Sequence, residues 1–201
     1  MFLGHFAVAL GAKKAAPRLS LGWLVLAAQF ADLLWPIFLL LGWEQVRIAP
    51  GITRVTPLDF VSYPYSHSLI AQMGWGLLLG TIYYFARRDL RSATVLALCV
   101  PSHWLLDFAS HRPDMPIVPG GARYGLGLWN SAPATLIVEF GLFVLGTVLY
   151  LSAVRPNFQL HRPTEPSSEV LGLNEARNLV QGNRADLRLA RRVIGRGADS
   201  Y

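Results

Sequence analysis

The sequence predicts an all-α, polytopic integral membrane protein: a helical bundle of four spans with a short N-terminal helix that dips into the bilayer. Three observations predict it. Of 201 residues, 53% are hydrophobic and 15% charged, with a mean hydropathy of +0.37, more apolar than an ordinary soluble domain. The apolar residues gather in runs of about 20, the length a helix needs to cross about 30 Å of hydrocarbon. The basic residues sit in short clusters between those runs and not on one aromatic-studded module, so the net charge of +6 does not point to nucleic acid.

Residues Met1 to Ala12 are apolar but about half the crossing length, and Lys13-Lys14 follow the stretch instead of preceding it. That is the reverse of the charge order in a secretory signal peptide, and it fits a short membrane-dipping helix. Runs at about 19–43, 67–86, 92–110 and 133–154 supply the four spans, with Pro36 expected to kink the first. Lys13, Lys14 and Arg18 precede the first span, Arg87, Arg88 and Arg91 separate the second from the third, and an Arg-rich segment follows the fourth. The positive-inside rule places these three regions in the cytoplasm, the C-terminus included, and the longer loops at about 44–66 and 111–132 outside. The lone Cys99 lies in an apolar run, which excludes an intramolecular disulfide and CxxC-type zinc sites.

Charge density divides the chain into a membrane-embedded domain, 1–154, and a tail, 155–201. The first holds 10 Lys+Arg and 7 Asp+Glu, whereas the 47-residue tail holds 8 Arg and 5 acids. Pro163, Pro166, Ser167 and Ser168 open a stretch too polar to order itself, so a mostly disordered cytoplasmic tail is expected. Around Glu175 to Ile194, the residues Leu179, Val180, Leu187, Ala190 and Val193 share one helical face among arginines, a pattern suited to lying on anionic lipid.

Ionisable side chains within spans are costly and mark function by default. Here they are His5, Asp32, His67, His103, Asp107 and Glu139. With the topology above, and with the N-terminal helix starting outside, all six fall in the outer half of the membrane. His103 and Asp107 are spaced i,i+4 on one helical face, able to offer two ligands to one ion, and the stripe reaches His111 if the helix continues. A divalent metal site built from His5, Asp32, His67, His103 and Asp107 is therefore expected, with Glu139 as a further ligand or catalytic general base. Mixed imidazole and carboxylate ligands suit Zn²⁺, with Mn²⁺ or Fe²⁺ as alternatives. Tyr63, Tyr65, Ser66 and Ser68 flank His67 and can orient ligands. The plainer expectation for Tyr63, Tyr65, Trp104 and Trp129 is an interfacial aromatic belt.

Gly-His near the N-terminus, Asp32 late in an apolar run, His67-Ser68 opening the next span and Ser-His-Trp-Leu-Leu-Asp at 102–107 together resemble the membrane-bound, metal-dependent hydrolases of bacterial inner membranes. The resemblance covers about residues 1–155. It implies a small multi-pass inner-membrane protein whose metal ligands are His5, Asp32, His67, His103 and Asp107. The chain departs from the family at Leu33, Leu34 and Trp35, where a further Asp and His are usual, and at Tyr63-Pro64-Tyr65-Ser66, where Arg-Gly is frequent.

Arg112 and Arg123, in the Gly- and Pro-rich loop 111–132, suit a phosphate or carboxylate on a substrate arriving from outside or from lipid. The expected activity is metal-dependent hydrolysis of an amphiphilic ester or phosphate, with the lipid bilayer as the protein's surroundings and a lipid-like molecule as its substrate. A proton or metal-ion transporter and a structural protein with buried polar pairs are the rival classes. No internal repeat supports alternating access.

Overall fold

The computed structural model describes residues 1–154 and Arg177, and the chain divides into two units, Met1–Arg155 and Pro156–Tyr201. The amphipathic helix expected around Glu175 to Ile194 lies outside the described residues. The first unit is built on helices: α1 (Leu3–Ala15), α2 (Leu21–Ala28), α3 (Phe30–Leu40), α4 (Pro64–His67), α5 (Leu69–Arg87), α6 (Leu90–Ser110) and α7 (Ala132–Val154). Three of them, α5, α6 and α7, are long and apolar enough to cross a membrane. The pair α2 and α3 meets the same test together, bent by 51°, which makes a fourth span if the pair is one.

The bend is not where the sequence places it. Helix α3 runs unbroken through Pro36 to Leu40, and the change of direction falls at Gln29, which caps both helices with φ −100° and ψ 8°. Leu33 N–H still donates to Gln29 O, but Ala28 O accepts from the His103 ring instead, so a side chain takes over a rung of the helical ladder. His67 likewise lies outside the helix that its span was expected to form. Pro64 starts the short α4, and Ser68 then opens α5 by accepting from Ala71 N–H (3.3 Å). At the opposite end of α5, Arg88 takes a left-handed conformation (φ 54°). Asp89 caps α6 through Ser92 N–H (3.1 Å) and Ser92 Oγ (2.7 Å), bonds that hold its carboxyl below the usual range.

Helices α5 and α6 form a hairpin packed through small residues. A Cβ at Gly76 would stand 2.3 Å from Ala97 O, and one at Gly80 2.8 Å from Ala93 O. This is the close approach that a Gly-x-x-x-Gly face permits. Pro101, four residues beyond Ala97, has no N–H to give it, so the carbonyl facing Gly76 is one that α6 itself leaves free. Gly146 of α7 meets Ala7 of α1 in the same manner, 2.5 Å to Ala7 O.

The two long loops contain sheet that the sequence analysis did not anticipate. Strands β1 (Gln45–Ile48) and β2 (Leu58–Ser62) pair antiparallel, with an irregularity at Gln45/Val46, and β3 (Met115–Pro116) pairs with β4 (Arg123–Tyr124). Arg54 N–H donates to Trp129 O (3.0 Å) and Arg123 to Val61 O (2.8 Å), so the loops are joined over one end of the bundle. Beneath them Phe60, Tyr63, Trp104 and Met115 form a core of their own. Tyr63, 1% exposed, and Trp104 are thus interior residues and not members of a surface belt, whereas Tyr65 is exposed. Each interior ring finds a polar partner: Trp104 Nε1–H donates to Pro116 O (2.9 Å) and Tyr63 OH to Asp114 Oδ1 (2.9 Å). Burial, with Asp114 beside it, pushes the Tyr63 hydroxyl far above its ordinary range, so it remains a donor.

Candidate metal centre

The backbone brings four of the chain's five histidines to one place. His5 comes from the first turn of α1, His67 from the end of α4, His103 from α6, and His111 from the residue that caps α6. Asp107 lies one turn from both His103 and His111 and is the hub. Its Oδ2 is 3.1 Å from His103 Nε2 and 3.8 Å from His67 Nε2 and from His111 Nε2, while its Oδ1 is 3.1 Å from His5 Nε2. Asp32 Oδ1 closes the set at 3.4 Å from His67 Nε2 and 3.5 Å from His103 Nε2. All of these residues are buried except Asp32, whose side chain is 44% exposed.

The tautomers follow from the groups behind the rings. Ala28 O can only accept, so His103 Nδ1 carries the proton and donates to it (2.9 Å). Ser66 gives its hydroxyl proton to the Glu44 carboxylate (2.6 Å) and therefore accepts from His67 Nδ1–H (2.7 Å). Asp114 accepts from His111 Nδ1–H (3.0 Å). In its neutral form each of the three rings thus turns an Nε2 lone pair towards carboxylate oxygens that are also acceptors, and His103 Nε2 has no hydrogen-bond partner at all. A buried cluster of facing acceptors is repulsive until a proton or a metal cation joins it. The separations of 3.1–3.8 Å are close to the roughly 3.3 Å edge of a tetrahedron of ligands about 2.0 Å from a central ion. Two groups here can hold a metal ion: His5 with His103 and Asp107, and Asp32 with His67 and His103. An imidazole held by Nδ1–H while Nε2 is left free is the usual arrangement around bound metals.

His5 lies flat on His103, with centroids 3.7 Å apart and planes 3° from parallel. Its helix is held by Glu139, whose carboxylate accepts Phe2 N–H (3.0 Å) and Leu3 N–H (2.6 Å). An acidic side chain on the free N–H groups of a first turn is a favourable cap. The main-chain amine of Met1 also reaches Asp107. The expected general base is therefore fastened to α1 backbone, at the edge of the cluster. We expect Glu139→Ala to loosen α1 and lower metal affinity by about tenfold, as loss of a group that orients a ligand does, with Glu139→Gln partly restoring it. Metal titration of both variants checks this, and unchanged affinity in Glu139→Ala would show that α1 needs no such anchor.

A cleft of about 210 Å³ opens on the cluster, lined by Asp32, His67, Asp107, His111 and Glu139 together with apolar residues. The arginines expected to meet substrate do not line it. Arg112 lies between Asp59 and Asp114, the latter at 3.0 Å, and Arg123 donates to Val61 O. The arrangement makes Arg112 a support for Asp114, and through it for His111. Glu44 and Asp114 escaped the sequence reading because nothing local marks them; each gains its role from a loop folding back. Comparison with protein-family models, with curated proteins and with solved structures finds no match for this chain.

Proposed function

We propose that the protein is a metal-dependent hydrolase of the bacterial inner membrane, with four spans, a cytoplasmic C-terminus, and a site open towards the outer half of the bilayer. One observation carries the reading: three imidazoles, each fixed by a different acceptor behind it, turn Nε2 towards Asp107, and two of them, His67 and His103, face Asp32 as well. His5, Asp32, His67, His103 and Asp107 hold the ion, with His111 beside Asp107, and the mixed nitrogen and oxygen set favours Zn²⁺ over Mn²⁺ or Fe²⁺. When bound, a divalent ion supplies polarisation of an ester or phosphoryl oxygen and a more acidic water.

The residues do the rest. Asp32, the exposed member, faces the cleft and takes the proton from the attacking water. Asp107 fixes the geometry of the imidazoles around it, and His5 stacks on His103. The depth of the cluster within apolar helices suits an amphiphile that presents its head group at that level. The test is reconstitution into vesicles containing lipid esters and lipid phosphates, with and without chelator. Chelator-sensitive hydrolysis is the expected result. Metal or proton flux without hydrolysis would replace the enzyme with a transporter, and neither activity from protein that carries its ion would leave a structural role.

A further inference from the structure

We infer that the substrate is an uncharged lipid carboxylic ester, its acyl chain held between α3 and α7. This rests on the hydrolase reading above and chooses between the two bond types it leaves open. The first argument is charge. The cleft is lined by three carboxylates, Asp32, Asp107 and Glu139, and by no lysine or arginine among the described residues. His103 has one free lone pair, since its Nδ1–H is given to Ala28 O, so the two candidate ligand groups that share His103 serve one ion. The Met1 amine beside Asp107 is offset by Glu139, and one divalent cation is cancelled by Asp32 and Asp107, which leaves nothing to balance a phosphate. Sites for phosphoryl groups recruit arginine, lysine or a second metal for that purpose, and here Arg112 is spent on Asp59 and Asp114. An ester carbonyl arrives neutral and develops one negative charge in its transition state while Asp32 is neutralised by the proton it takes, so the ion, then opposed by Asp107 alone, matches that charge.

The second argument is access. Phe2, Trp35, Val55, Phe60 and Trp129 give the cleft an apolar wall, and Phe2 is 67% exposed at its mouth. Helix α3 packs on α2, α4 and α6, and α7 packs on α1 and the turn Leu128–Asn130; α3 and α7 form no packed pair with each other. From α3, Asp32 and Trp35 line the cleft, and from α7, Glu139 does. A hydrocarbon chain enters there from the bilayer without crossing water. In the reaction the water oxygen bonds to the acyl carbon, the acyl C–O bond breaks, and the proton taken by Asp32 passes to the leaving alkoxide, giving a fatty acid and an alcohol.

The experiment has two readouts on the reconstituted, metal-loaded protein. Fatty acid release from dioleoylglycerol should exceed inorganic phosphate release from dioleoyl phosphatidic acid by at least about tenfold, given what an unmatched charge costs in such a site. A diether lipid with a photoreactive group in mid-chain, which cannot be hydrolysed, should label Phe2, Trp35 or Trp129, and excess dioleoylglycerol should suppress the labelling. Phosphate release without fatty acid would overturn the ester assignment and leave the hydrolase intact, whereas neither product from metal-loaded protein would overturn both. Labelling spread over the outer faces of α5 and α6, insensitive to competition, would overturn the α3–α7 portal.

Discussion

Asp107→Asn protein should purify with helicity and size unchanged but with its metal lost, affinity falling by well over about 100-fold, beyond what removal of a ligand-orienting group costs. The reason is position. Asp107 is buried, and four imidazoles and the Met1 amine lie around its two oxygens. Replacing one oxygen by an amide keeps the volume, removes the charge, and puts a donor where an ion needs an acceptor. Asp114→Asn, which touches only His111 and its neighbours, should cost about tenfold to 100-fold by comparison. Elemental analysis and metal titration of the three proteins give the ranking. Wild-type metal content in Asp107→Asn would mean that the cluster is a hydrogen-bonded brace and not a metal centre.

Two alanine substitutions two residues apart on α5 should act in opposite directions. Gly74 is exposed and has open space where its Cβ would stand, so Gly74→Ala gains helix propensity worth about 1 kcal/mol. At Gly76 the same methyl would fall 2.3 Å from a backbone oxygen of α6. Backbone cannot rotate out of the way as a side chain does, so α5 and α6 must separate, and overpacking of this kind costs roughly 1–3 kcal/mol or more. At about 2–4 °C per kcal/mol for a chain of this size, the apparent Tm of Gly76→Ala in detergent should fall by about 2–12 °C while that of Gly74→Ala holds or rises. Equal shifts in the two variants would refute the Gly76–Ala97 approach as a feature that holds the hairpin together.

Much of this architecture is legible without coordinates because membrane helices announce themselves by length and hydropathy. The runs at 67–86, 92–110 and 133–154 correspond closely to α5, α6 and α7. The polar residues stranded in those runs had to find one another, and His5, Asp32, His67, His103 and Asp107 lie together in the structure. What could not be read was the identity of the groups behind the rings. Glu44 and Asp114 reach His67 and His111 through loops whose short strands give no hydropathy signal, and Glu139 meets α1 across more than 130 residues of chain. The bend was misplaced for a related reason. Proline is the visible helix breaker, but the break at Gln29 depends on a histidine 75 residues away.

That break makes helix shape and ligand orientation a single variable. In a continuous helix Ala28 O would be bonded within its own ladder; here it is free because α2 stops, and it holds the proton that keeps His103 aimed at Asp32 and Asp107. Straightening the junction would return the carbonyl to the ladder and leave the ring to swing. The interrupted helix pair is therefore a component of the site as much as any ligand is. An alteration at Gln29 that restores helical continuity should be felt at the ion, although Gln29 itself makes no hydrogen bond to the ligand set. If α2 and α3 together make one span, bilayer thickness acts on the same joint, since a thinner or thicker membrane changes the angle at which a broken helix rests.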